Sequence, residues 1–339
     1  MDRTLYEWAA QQPHTAEQVA QLHAVATAPG EPRALARQMH AGLLLVAGLL
    51  LACGLIFWIA ANWQEQTRMF KLGLIEGALL ASVLASIFWR RGRIAALLCA
   101  TLALGGLLAF VGQTYQTGAD AWQLFATWAG LALIWTLLAR SDVLWVLWIV
   151  VAATAIAMWY GHLDLWSILF SRDRGMTEQL LYVAIWLALA LVPWLVSLLP
   201  WARHRHGVAW SSHRLALALA LAAWMVLGVA DLFTSKHSGL AFPLAGLLTA
   251  AAMFVSYRGR MQDFASLCLG ALAANAWIMS LVVRVIPSSS DVAAFLICAI
   301  VGLGCLAATV SGLMAVQRRL RGEADAAVRS SRSNTGGEQ

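Results

Sequence analysis

Charge is what this chain has least of. Only 12% of its 339 residues are Asp, Glu, Lys or Arg, about half the share of a soluble domain, while 61% are hydrophobic. That imbalance excludes a water-soluble fold. Strict apolar/polar alternation is missing too, which excludes the short strands of a membrane barrel. The five cysteines, Cys53, Cys99, Cys268, Cys298 and Cys305, all lie within apolar runs and lack ligand-type spacing, so neither a disulfide framework nor a zinc site is expected. They read as small apolar side chains. There is no Gly-rich phosphate loop, no nucleophile elbow and no zinc-protease signature, which makes an enzyme the least favoured class, with no cofactor implied. The net charge of +6 is spread in short clusters at the ends of apolar runs, a topology signal rather than a nucleic-acid-binding face. No cleavable signal peptide is expected, since residues 1–40 are polar and the first apolar block starts at Ala41.

What is present is a series of apolar blocks of about 18 to 25 residues, the length that carries a helix across the hydrocarbon of a bilayer. The expected fold is an all-α integral membrane protein with about ten transmembrane helices. The spans are read at 41–61, 70–89, 94–112, 122–139, 143–160, 179–199, 215–233, 239–257, 264–283 and 291–315, with the tightest joins at 90–93 and 140–142. Residues 1–40 form a short soluble segment with helices over about 4–12 and 15–27, the second opening on a capping box of Thr15 and Gln18. Breaks fall at Pro13 and at Pro29, Gly30 and Pro32. Residues 316–339, ending SSRSNTGGEQ, are expected to be a disordered tail with too little apolar surface to offset the entropy of ordering.

The basic residues give an independent check on this count, because cytoplasmic loops carry the excess of Lys and Arg. With the N-terminus inside, only six of the 23 (Arg68, Lys71, Arg172, Arg174, Lys236 and Arg284) fall on the outer side. Both termini are therefore expected in the cytoplasm.

Candidate functional residues gather in the outer stretch FVGQTYQTGADAWQLFATW, Phe110 to Trp128. Asp120 and Gln123 suit the cap of the fourth span, Gly118 a tight turn, and Tyr115 and Trp122 headgroup depth. Gln113, Thr114, Gln116 and Thr117 are left over. Neutral donors and acceptors at a helix end line a polar vestibule or bind a polar ligand, so Gln113, Tyr115, Gln116 and Asp120 are taken as candidate substrate-binding residues. Glu76, some six residues into the second span, is the fifth: a carboxyl at that depth is protonated, paired or facing a wet cavity. Lys71 is poorly aligned to pair with it and is expected to snorkel outward. Asn275 reads as helix-packing glue, and Asp231 as close enough to the outer end of its span to reach water. His204, His206 and His213 share a basic inner loop with Arg203, Arg205 and Arg214, suited to anionic headgroups. A weak echo of DAWQLF recurs as DLWSILF at Asp164 to Phe170.

The segment Gly112, Gln113, Tyr115, Gln116, Gly118, Ala119, Asp120, followed by Leu124, Phe125 and Trp128, resembles the hallmark of a bacterial family of multi-pass membrane proteins, domain of unknown function 2157. Trp8 and the EQVAQL stretch are similar to the start of that family; Ala121 stands where proline is more usual. The resemblance covers about residues 1–140 and implies a bacterial inner membrane but no established activity. Two functions follow. One is a transporter, flippase or channel-like protein for a small or lipid-like solute, motivated by Glu76 and the polar loop. The other is a non-transporting envelope scaffold or sensor that binds a membrane or cytoplasmic protein partner through its N-terminal helices.

Overall fold

The computed structural model describes residues 33–62, 64–115, 118, 120–160, 175–198, 210–233, 239–258, 263–286 and 291–335, with side chains except at 33–38, 197–198, 291–293 and 320–335. The expected N-terminal helices, Gln116, the DLWSILF stretch, His204 and His206 lie outside the described residues.

Ten helices follow one another: α1 (Arg33–Ala61), α2 (Arg68–Phe88), α3 (Arg93–Tyr115), α4 (Ala121–Ala139), α5 (Asp142–Trp159), α6 (Met176–Leu198), α7 (Trp210–Phe233), α8 (Ala241–Arg258), α9 (Phe264–Val285) and α10 (Asp291–Thr335). All ten hold an apolar stretch long enough to cross a membrane. A helix is the element that satisfies every backbone N–H and C=O within itself, which lipid requires. The tight joins are real turns. Arg140 ends α4 in the left-handed region (φ 51°) and Ser141 starts α5 in extended backbone. At the other join Gly92 lies so close to Trp89 that a Cβ would stand 2.3 Å from its indole.

Several boundaries depart from expectation: α1 starts at Arg33 rather than at 41 and α6 at Met176 rather than at 179. Helix α3 runs to Tyr115 rather than to 112, because Gln113, Thr114 and Tyr115 complete its last turn. Helix α7 starts at Trp210, five residues early, where Asp142 supplies acceptors for its first N–H groups. Helix α10 continues to Thr335 through GEADAAVR, where a disordered tail was expected; its Ala, Glu and Arg are strong helix formers, and propensity there outweighs the want of apolar burial.

Two helices organise the packing. α3 contacts α1, α2 and α4, and α7 contacts α5, α6, α8 and α9, while α10 packs on α9. The largest core joins α4 to α9, with Ile149, Ala216, Ala220 and Trp224 fully or almost fully buried. A smaller one joins α1, α2 and α3 through Ile59, Ile75 and Phe110. Lipid tails are as apolar as these side chains, so close packing and interhelical hydrogen bonds must hold the helices together.

Tryptophan supplies many of those bonds. The indole N–H of Trp128 donates to the Thr101 carbonyl (2.8 Å), that of Trp148 to Ala129 (2.8 Å), that of Trp224 to Val183 (3.3 Å) and that of Trp277 to Phe242 (2.9 Å). Trp135 donates to the Thr101 hydroxyl at 2.9 Å. Glycine makes room for two of these rings: a Cβ on Gly105 would stand 2.5 Å from Trp128, and one on Gly246 2.8 Å from Trp277. Asn275 serves as packing glue, its side-chain oxygen accepting from the Thr309 hydroxyl of α10 at 3.1 Å.

A polar clamp ties the first turns of α5, α7 and α9. Asp142 accepts from the backbone N–H groups of Ser211 and Ser212, both at 3.0 Å. Arg214 donates to both oxygens of Asp263 (2.9 and 2.6 Å), which also accepts from the N–H and hydroxyl of Ser266. Asp263 thus caps α9 while bound to α7. Arg90, Arg91, Arg93, Arg140 and Arg258 stand at or beside this same end of their helices, and Arg318 and Arg319 close the apolar stretch of α10 there, hereafter the arginine-rich face. On the opposite face Asp231 does not reach water as expected. It is 5% exposed and accepts from the N–H groups of Gly239, Ala241 and Phe242, which caps α8. His213, expected among headgroups, has its Nδ1 buried without a hydrogen-bond partner.

Candidate functional site

The polar stretch that stood out in the sequence is divided between two helices and a turn. Its first part is the C-terminal turn of α3, and its last part opens α4. Gly118 has φ +65°, a conformation that suits glycine, and lets the chain reverse between them. Asp120 holds the extended backbone of an N-cap (φ −63°, ψ 149°), but its side chain makes no capping bond; the Gln123 N–H bonds instead to the Asp120 carbonyl at 3.0 Å. The expected side-chain cap is therefore absent. The Asp120 carboxyl faces a cavity of about 420 Å³, whose polar lining also holds Gln113, Gln123 and Thr127 and whose apolar lining includes Leu108, Val111 and Leu124.

A second cavity, of about 400 Å³, lies on the other side of α3, between α1, α2 and α3. Its walls are Leu51, Leu55, Ile56, Ile59, Ile75, Ala103 and Phe110, with Ser82, Cys99 and Gln113 as its polar groups. Small residues set its width. Gly48 on α1 approaches α3 so closely that a Cβ would meet the Ala95 carbonyl at 3.2 Å, and the Cys99 thiol donates to the Gly48 carbonyl at 3.0 Å. Gln113 and Ala109 line both cavities. One residue of α3 therefore faces an apolar chamber on one side and a polar mouth on the other.

These elements fall inside the part of the chain that has known relatives. Residues 6–145 match the family model of predicted membrane proteins DUF2157. The DUF2157 match takes in α1 to α4 and the first residues of α5, and so contains every residue that lines either cavity. No curated protein and no solved structure matches the chain.

Within the DUF2157 region the other candidates fall elsewhere. Tyr115 is 61% exposed at the rim and lines neither cavity. Glu76 lies on the exposed side of α2: its neighbours Ile75 and Ala78 face the apolar cavity and Glu76 does not. It makes no hydrogen bond or ion pair among the described residues and lines neither of these two cavities. Lys71, expected to snorkel outward, is instead buried at 4% exposure. Thr127, Ser82 and Cys99 are lining residues that the sequence did not single out as site residues, and Gln123 was read only as a capping residue. Only Gln123 and Thr127 carried a signal, lying one helical turn apart with Gln123 one turn from Asp120. Ser82 and Cys99 look like ordinary small residues of apolar helices. Among the described residues no three His, Cys, Asp or Glu side chains converge in a way that could hold a metal ion.

Proposed function

We propose that this chain is a multi-pass protein of a bacterial inner membrane that binds an amphipathic, lipid-like solute and passes it between its two cavities, with no enzymatic step. The arginine-rich face and both termini lie in the cytoplasm, in accord with the positive-inside rule. The observation that carries the reading is the position of Gln113, shared by the apolar chamber and the polar mouth. An alkyl tail fits the chamber, whose few polar groups are neutral or a thiol. The head group meets Gln113, Gln123, Thr127 and Asp120, a set with one carboxyl and no basic side chain, which favours a neutral or cationic head over an anionic one. The Gln113 amide offers both donors and an acceptor, so it can hand a polar group from one space to the other. Glu76 lines neither cavity, so passage does not run through it as a proton relay.

The test uses the purified full chain in proteoliposomes and a fluorescent single-chain amphiphile with a zwitterionic head, its movement read by quenching from outside. Gln113→Leu removes one neutral hydrogen-bonding partner, worth about 1 kcal/mol, and is expected to slow transfer about fivefold. Ala103→Phe, which fills the chamber, is expected to abolish it. Equal rates for wild type, both variants and empty vesicles would sink the proposal.

A further inference from the structure

A third cavity, of about 460 Å³, lies far from the first two, between α8, α9 and α10. Its walls are apolar, with Met253, Ala271, Ile278, Leu313 and Val316 among them. Of its few polar groups, which also include the Tyr257 hydroxyl, Asn275 and Thr309 are bonded to each other. It is a crevice rather than a sealed void, because α10 packs on α9 and its apolar stretch contains no buried residue. A Cβ on Gly312, which lines it, would meet nothing within 4 Å.

The crevice reaches the arginine-rich face. Tyr257 is its last lining residue on α8 and is followed by Arg258; Val316 is its last on α10 and is followed by Arg318 and Arg319. Arg258 lies over the Phe254 ring at 6.0 Å, and all three arginines are exposed. The nearby acid at the start of α9, Asp263, is taken by Arg214. An apolar slot open to lipid, with exposed Arg258 and Arg319 one step past its last lining residues on α8 and α10 and Arg318 on the far side of α10, matches a molecule with a hydrocarbon tail and an anionic phosphate at its end. We infer that this crevice is a binding site for an anionic phospholipid, its acyl chain between α9 and α10 and its phosphate on Arg258 and Arg319, with the charge of Arg318 beside them. It shares no residue with the two cavities of the proposed passage and stands or falls separately.

The experiment is native mass spectrometry of the purified full chain, stripped of lipid and then offered phosphatidylglycerol or phosphatidylcholine with the same acyl chains. At least tenfold greater retention of phosphatidylglycerol is expected. The triple variant Arg258→Gln, Arg318→Gln, Arg319→Gln is expected to erase that preference. Gly312→Leu, which fills the slot, is expected to reduce retention of both lipids at unchanged helical content. Should Gly312→Leu fail to fold, the triple variant, confined to exposed side chains, still decides the matter. Equal retention of the two lipids, or an unaltered preference in the triple variant, overturns the inference. So does competition by soluble glycerol 3-phosphate as strong as that by the lipid, since the site would then take a free phosphate.

Discussion

Trp128 shows how much one side chain carries here. It lies on Gly105, donates to the Thr101 carbonyl and lies one turn from Ala132, so it fixes how α4 crosses α3 just below the polar mouth. Gly105→Ala would place a methyl 2.5 Å from the indole and force the ring away; overpacking of that kind costs about 1 to 3 kcal/mol. A lower unfolding temperature in detergent is the expected result, together with slower solute transfer. Trp128→Phe keeps most of the apolar contact but loses the N–H bond, for a milder loss of about 0.5 to 1.5 kcal/mol. Glu76→Gln, by contrast, is expected to leave transfer unchanged at every pH, because the side chain faces away from both cavities; a lost pH dependence would restore Glu76 as a relay. The contrast between these residues explains what was legible at this scale. Gln113 and Asp120 could be found because polar groups in a greasy chain stand out. Which way Glu76 points depends on the rotation of α2 about its axis, set by contacts with α1 and α3 that no local pattern records. The tryptophans were visible as residues, but their partners are carbonyls on other helices, and any residue has a carbonyl.

Among the elements, the joint of α7 and α9 makes the clearest prediction. Burial alone pushes the Asp263 carboxyl up, but the hydrogen bonds from Arg214 and from the hydroxyl and N–H of Ser266 outweigh it and hold its pKa well below the ordinary carboxylate range. A carboxyl whose folded pKa lies below its unfolded value of about 3.9 adds stability that is complete above that value and lost as the pH falls through the folded one. Stability should thus decline as the pH drops below about 4, and Asp263→Asn, which caps about as well, should flatten that decline while lowering stability at neutral pH by about 1 kcal/mol through the lost charge-assisted bonds with the part-exposed Arg214. Thermal unfolding of both proteins from pH 3 to 7 checks it; parallel profiles would show that the clamp contributes nothing. The apolar blocks located all ten helices and most of their ends to within a few residues, since hydrophobic length is a strong signal, but missed the start of α1 by eight residues and the end of α10 by twenty. Two smaller departures arise where a polar group extends a helix. The amide and hydroxyl of Gln113 and Thr114 lie within α3, and Asp142 lengthens α7 from a different helix.

For the whole molecule, hydropathy locates the ten candidate spans and charge predicts the sense in which they cross, but neither reveals who packs on whom. That α3 and α7 are the two centres follows from glycines that let helices approach closely, such as Gly48 against Ala95 and Cys99 and Gly228 against Ala241, Phe242 and Ala245. These pairs are far apart in sequence and leave no periodic mark. The sense of crossing can be tested on intact cells. Starting from a variant with the five native cysteines replaced, Glu65→Cys places a thiol in the exposed turn between α1 and α2, and Arg91→Cys one in the exposed turn between α2 and α3. The two turns lie at opposite ends of α2, so one of them faces the cell interior. If arginine marks the inside, a membrane-impermeant maleimide added to whole cells labels Glu65→Cys and reaches Arg91→Cys only after lysis. The polar mouth formed by Gln113 and Asp120 then opens on the same side as Glu65, away from the cytoplasm, and the crevice ending at Arg258 opens toward it. The reverse labelling would invert both, with the candidate passage loading its solute from within.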